Sequence, residues 1–115
     1  MQRDEFKNLL RLLDEDYNQI IRFAHINFKG PRSQKVDPDE LLTKAMLCLP
    51  KYALKEVETY LDARLRILGI KNEMDVEGTT LDNTRRSQKL AEALTRGRDR
   101  VREEIVKALR KIIGV

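Results

Sequence analysis

The sequence predicts an all-α protein, a four-helix bundle-like domain with a long first helix and a central third helix. Apolar residues recur at three- and four-residue steps through most of the 115 residues, which is the period of an α-helix. No segment shows the two-residue alternation of a β-strand. The glycines and prolines fall mostly at the borders of the periodic segments. We therefore expect a single helical domain over residues 1–115, with helices at about 4–28, 38–49, 50–69 and 80–113.

The first two helices have clear boundary signals. Gly30 followed by Pro31 is typical of the end of a helix. The second helix begins with Asp37 as its N-cap, and Pro38 suits the first helical position. Pro50 interrupts the pattern and begins the central helix as its first residue.

The central helix, Pro50–Ile70, carries two neighbouring apolar stripes that together cover about half of its circumference. An ordinary surface helix has one such stripe, so this helix is expected to be covered on two sides. The excess of apolar surface also predicts an oligomer, because large exposed apolar patches usually mark interfaces. The candidate residues for a partner interface or a structural anchor are Tyr60, Leu61, Arg64, Leu65 and Leu68.

Arg64 lies on the apolar half of this helix and has two interpretations. Its methylenes can lie along apolar surface while the guanidinium reaches water. Alternatively, a buried carboxylate or helix-terminal carbonyls hold the guanidinium as a structural anchor. We favour the anchor.

The fourth helix is predicted after a polar linker at Lys71–Gly78. Thr79, Thr80 and Thr84 are all candidates for its N-cap. Gly97 interrupts the interior of the helix at a cost of about 1 kcal/mol relative to alanine. Either the helix bends there, or a neighbouring backbone approaches closely.

The net charge of +4 is concentrated in the fourth helix. Residues 85–111 hold ten Lys/Arg and four Asp/Glu, whereas the rest of the chain is slightly acidic. One interpretation is a solvated face of intrahelical ion pairs, such as Glu92–Arg96, Arg100–Glu104 and Glu103–Lys107. The other is contact with phosphates or an acidic protein surface. No aromatic residue accompanies the charges, so base stacking is not indicated. The candidate nucleic-acid-binding residues are Arg85, Arg86, Lys89, Arg98 and Arg102.

The sequence offers no recognisable catalytic or metal-binding pattern, and we expect no enzyme, metal or cofactor. His25 is the only histidine, which excludes sites built from several histidines. Cys48 lies in an apolar run and is interpreted as a small core residue. Asp14, Glu15 and Asp16 are consecutive, so they point in different directions around a helix.

Nothing in the sequence indicates a membrane protein. The charged N-terminus lacks the apolar core of a signal peptide. No apolar run approaches the roughly 20 residues of a membrane span. We expect a cytoplasmic protein, or a nuclear one if the source is a eukaryote, with no membrane contact.

The stretch from Tyr60 to Ile67 (YLDARLRI) resembles the central-helix run of GINS DNA-replication complex subunits. The first helix, with Leu13–Tyr17, and the Thr-rich start of the fourth helix at Thr79–Asp82 are also similar to that family. The resemblance implies the helical A-domain of a subunit whose helical domain comes first. The sequence departs from that pattern because no β-rich segment follows, which puts any contact made through a β-domain in doubt.

The resemblance implies a non-enzymatic structural subunit that links the replicative helicase to other replisome proteins in DNA replication. Its partners would be other protein subunits, in a homo- or hetero-oligomer, and the replicative helicase. The first alternative is a small basic helical module that binds DNA or RNA directly. The second is a viral or plasmid helical adaptor with no relation to replication.

Overall fold

The computed structural model describes residues 2–25, 28, 34–77 and 81–114. All regular structure in this part of the chain is helical, so the predicted all-α fold with four helices is confirmed. The third helix contacts each of the other three helices, most extensively α4. The helices are α1 (Gln2–Phe23), α2 (Pro38–Cys48), α3 (Lys51–Glu77) and α4 (Leu81–Ile113).

Contacts along α1 and α4 show that these two helices are antiparallel. The Tyr17 hydroxyl lies 2.7 Å from Oγ1 of Thr95. Just after the end of α1, the carbonyl of Ala24 accepts a hydrogen bond from the buried Ser87 hydroxyl of α4. Residue numbers therefore rise along α1 as they fall along α4. The bundle measures 51 × 22 × 19 Å.

The α3–α4 contact is the most extensive in the bundle, and Gly97 allows its close approach. A Cβ atom placed on Gly97 would lie 3.2 Å from the Cα of Tyr60. One turn away, Glu56 of α3 faces Arg100 of α4 at 4.0 Å. The second of the two predicted explanations for Gly97 is therefore the one observed, because a neighbouring backbone lies against it.

One apolar core runs through the bundle, because each helix turns its apolar face inward. In α2, Asp37 is the N-cap and accepts a hydrogen bond from the Asp39 amide, with Pro38 in the first turn, as predicted. The fully buried large side chains come from all four helices and are Leu9, Leu13, Ile20, Leu41, Val57, Tyr60, Ile67, Leu94 and Ile105.

The starts of α1, α3 and α4 differ from the prediction by two residues or fewer, and α3 begins at Lys51 and not at Pro50. The C-terminal ends of three helices also differ, the first two by five residues and one residue. α1 ends at Phe23 and not at residue 28, because the chain turns there and Phe28 packs back on Phe23 with ring centroids 5.2 Å apart. α2 ends at Cys48, and the extended backbone of Leu49 caps it.

The third difference is larger, because α3 continues through Gly69 to Glu77. The predicted linker is therefore wrong over residues 71–77, while Gly78 lies outside the described residues. A glycine costs a helix only about 1 kcal/mol, and the residues that follow it include good helix formers. Thr84 lies inside α4 and is not its N-cap, whereas Thr79 and Thr80 are not described.

No helix in the described ranges is both long enough and apolar enough to cross a membrane.

Candidate functional site

A buried polar network joins α1, α3 and the segment before α2. Its centre is the carboxylate of Asp16, which is 0% exposed. The Nε of Arg64 donates to both Asp16 oxygens at 2.9 Å, and the Tyr60 hydroxyl donates to Oδ2 at 2.7 Å. The Nη2 of Arg64 lies 2.9 Å from Asp16 Oδ1 and donates to the carbonyl of Val36 at 3.0 Å.

The helical period explains how α3 presents two members of this network together. Tyr60 and Arg64 are four residues apart, so their side chains lie on the same face of α3. Burial, followed by the neighbouring charge of Asp16, raises the pKa of Tyr60 far above its ordinary value. The phenol therefore stays protonated and remains a donor to the carboxylate.

Arg64 is 3% exposed and does not reach the surface. The structure thus agrees with the anchor interpretation, and the interpretation in which Arg64 extends to water is wrong. A buried guanidinium is tolerated where its donors are paired, as they are here by a carboxylate and a carbonyl.

The two apolar stripes of α3 are buried to different extents. Tyr60 and Ile67 are each 0% exposed, whereas Leu61 and Leu68 are half-buried. Leu65 is 68% exposed. None of the described helices covers α3 at Leu65, so the expected cover on a second side is not supplied by these helices.

The charged face of α4 is solvent-exposed along most of its length. Arg85, Arg86, Lys89 and Arg102 are all exposed, so four of the five candidate nucleic-acid-binding residues lie at the surface. The predicted ion pair between Glu103 and Lys107 is present at 3.4 Å.

Arg98, the fifth candidate, is placed differently. Its side chain is 23% exposed, and its guanidinium carbon lies 4.0 Å from the centroid of the Tyr17 ring. Its Nε donates to Asp99 at 2.8 Å, and its Nη1 lies 3.8 Å from Asp14. Arg98 therefore joins α4 to α1, and we remove it from the candidate nucleic-acid-binding residues.

The Asp14–Arg98 contact also explains a buried polar atom. Asp14 Oδ1 is buried and makes no hydrogen bond to any residue that the structure describes. The Arg98 guanidinium, at 3.8 Å, supplies the opposite charge that offsets this burial.

The other two predicted ion pairs of α4, Glu92–Arg96 and Arg100–Glu104, are not formed among the described residues. Arg100 is paired with Glu56 of α3 at 4.0 Å, and Glu104 lies 3.7 Å from Lys107. The predicted Arg100–Glu104 pair is therefore replaced by contacts with other residues.

The two residues considered for chemistry have ordinary surroundings. Cys48 is half-buried, and burial raises the pKa of its thiol, so a reactive thiolate is disfavoured. His25 is exposed at the end of α1. Within the described ranges no three His, Cys, Asp or Glu side chains are grouped to hold a metal ion.

Asp16 is the residue of the network that the sequence did not identify. Its position on the apolar stripe of α1, between Leu13 and Ile20, was the available signal, because a carboxylate there must be paired. Val36 contributes through its backbone, for which a sequence gives no signal.

A comparison of the chain with known protein families, with curated proteins and with solved structures finds no match. A proposal for its function therefore rests on its surface, its buried network and the resemblance of residues 60–67.

Proposed function

We propose that the protein is a non-enzymatic assembly subunit that binds a protein partner through the leucine ridge of α3, which consists of Leu61, Leu65 and Leu68. The observation that carries the proposal is the 68% exposure of Leu65 between two half-buried leucines. Fully burying a leucine side chain is worth about 1.5–3 kcal/mol, so a partner that covers the ridge gains affinity from it.

The buried network supports the proposal because it fixes the direction of the ridge. Arg64 is held by Asp16 on the inner side of α3, and Leu65 is the next residue in the chain. Because this contact fixes the position of α3, the helix loses little further conformational entropy when a partner binds Leu65. The interface is therefore preorganised.

The resemblance of residues 60–67 to GINS subunits suggests the identity of the partner. In this proposal the ridge contacts another subunit of a replication complex, or the replicative helicase, during DNA replication. The setting would be the cytoplasm, or the nucleus in a eukaryotic source.

Site-specific photocrosslinking in cells of the source tests this proposal. A photoreactive amino acid replaces Leu65, and the matched control replaces Arg66, which is 67% exposed on a different side of the same turn. We expect crosslinks from position 65, and not from position 66, to a replication protein or to a second copy of the chain. Equal crosslinking from both positions would overturn the proposal. So would crosslinked products that contain neither a replication protein nor a second copy of the chain.

Self-association is checked separately by light scattering at tens of micromolar. If a second copy covers the ridge, the parent is larger than a monomer and Leu65→Ser returns it to a monomer. If the parent is already a monomer, the partner must be a different protein.

A further inference from the structure

The basic residues of α4 are arranged in a repeat that net charge does not reveal. Three pairs of Lys/Arg residues, each pair separated by four positions, recur every 11 residues. Eleven residues make just over three complete helical turns, so the pairs stay on one side of the helix. All six side chains are exposed. This basic stripe consists of Arg85 with Lys89, Arg96 with Arg100, and Lys107 with Lys111.

Most of the stripe is not neutralised by the protein itself. Arg85, Lys89, Arg96 and Lys111 form no ion pair with any described residue, and neither does Arg102 on the other flank of the helix. Free cations along one helix face attract an anionic partner, and that attraction weakens with salt.

The other two cations of the stripe, Arg100 and Lys107, are partly neutralised by acidic side chains. Arg100 lies 4.0 Å from Glu56, at the outer limit of an ion pair. Lys107 lies 3.4 Å from Glu103 and 3.7 Å from Glu104, and the hydrogen bond that it donates to Glu103 raises its pKa. The last pair is therefore partly compensated, and the first pair is the most available to a ligand.

The composition of α4 decides which polyanion suits the stripe. A membrane-binding helix inserts large apolar side chains, but the exposed ones among the described side chains of α4 are Ile112 and Ile113, after the stripe ends. Single-stranded nucleic acid is usually held by stacking on aromatic residues, and α4 contains none. A duplex, whose phosphates lie on its outside, needs neither feature.

The spacing of the pairs agrees with a duplex as well. Successive pairs are separated by about 16.5 Å along the helix, given a rise of about 1.5 Å per residue. One turn of B-DNA is about 34–36 Å and has two strands, so a line along its surface meets a backbone every ~17 Å on average. Long Arg and Lys side chains absorb the difference between the wide and narrow grooves.

We propose that the basic stripe binds the phosphate backbone of a nucleic-acid duplex, with α4 lying along the duplex and each pair at a successive backbone crossing. The contact carries no base specificity, because it reaches phosphates only. It lies on a different helix from the leucine ridge, so either proposal can fail without the other.

Fluorescence anisotropy with a labelled 20-base-pair DNA duplex at several salt concentrations tests the proposal. The variant is Arg85→Gln with Lys89→Gln. The matched control is Arg11→Gln with Arg22→Gln, which removes the same charge from two exposed residues of α1, outside the stripe. Each phosphate contact contributes about 0.9 to the slope of log affinity against log salt, so the variant should lower the slope by about 1.8 and the control should not.

An equal loss of slope in variant and control would show a general charge effect and overturn the proposal, as would no binding of the duplex by the parent. Parallel arms use a single strand of the same sequence, an RNA duplex, and vesicles of anionic lipid. Stronger stripe-dependent binding to the single strand or the vesicles than to either duplex also overturns it. Circular dichroism of both variants should match the parent, because the four changed side chains are exposed.

Discussion

The guanidinium of Arg64 and the carboxylate of Asp16 face each other in the core, with Arg64 Nε 2.9 Å from each carboxylate oxygen. Both side chains are almost completely buried, at 3% and 0% exposure. An ion pair of this kind gains little net stability over an apolar pair, but removal of one partner leaves an uncompensated charge in the core. The pair therefore makes the arrangement of α1 against α3 specific.

Replacement of Arg64 should be strongly destabilising. We expect Arg64→Ala to lower the free energy of unfolding by about 3–5 kcal/mol, because the Asp16 charge is left unpaired. Arg64→Lys should also be destabilising, since a single ammonium cannot reproduce the contacts of a planar guanidinium. The control Arg66→Ala removes an exposed pair with Asp62 and should cost less than about 1 kcal/mol. The midpoints of urea unfolding compare the stability of the three variants. A midpoint for Arg64→Ala equal to that of Arg66→Ala would contradict the role of Arg64 as a structural anchor.

Because of Tyr60, the free energy of unfolding depends on pH in the alkaline range. Its pKa is raised from an ordinary 10.0 by burial and by Asp16, so above pH 10 the unfolded chain loses a proton that the folded chain keeps. Stability conferred by Tyr60 is complete below pH 10 and falls by about 1.4 kcal/mol per pH unit above it. We expect the stability advantage of the parent over Tyr60→Phe to shrink by about 1 kcal/mol from pH 10 to 11, because half of the unfolded phenol is already ionised at pH 10. A constant difference, measured by urea unfolding at each pH, would disprove this linkage.

The two helical glycines Gly97 and Gly69 should respond oppositely to alanine. At Gly97 the new Cβ meets the Cα of Tyr60 at 3.2 Å, and overpacking of this kind costs about 1–3 kcal/mol. At Gly69 nothing lies within 4 Å, so Gly69→Ala should stabilise the protein by about 0.5–1 kcal/mol through helix propensity. Thermal unfolding of both variants compares them directly. A stabilising Gly97→Ala would mean that α3 and α4 can move apart at no cost.

Features set by local chemistry were predictable from the sequence. Asp37 and Pro38 begin α2 as expected, since an N-cap and a first-turn proline act within a few residues. Gly97 was expected to mark either a bend or a close approach, and the structure shows the approach. The need for a partner to Arg64 was predictable too, because a charge on an apolar stripe must be compensated.

Features set by packing between distant segments were not predictable. Asp16 is one of three consecutive acidic residues, and only the placement of α1 against α3 shows which of them meets Arg64. The sequence did not show which stripe of α3 the other helices cover, and in the structure they pack against the face that includes Tyr60 and leave Leu65 exposed. The continuation of α3 past Gly69 was missed because the cost of one glycine is small compared with the length of the helix.

The cross-section of the bundle, 22 × 19 Å, limits which surfaces of the protein a ligand can contact. An α-helix with its side chains is about 10–12 Å across, so the bundle is two helices wide in both directions. Its interior is a single layer of side chains, and a chamber of about 300–1,000 Å³ for a small molecule would displace that layer. A partner of this protein therefore meets the outside of a narrow rod, and the rod's 51 Å length makes it suited to touching two large molecules at once.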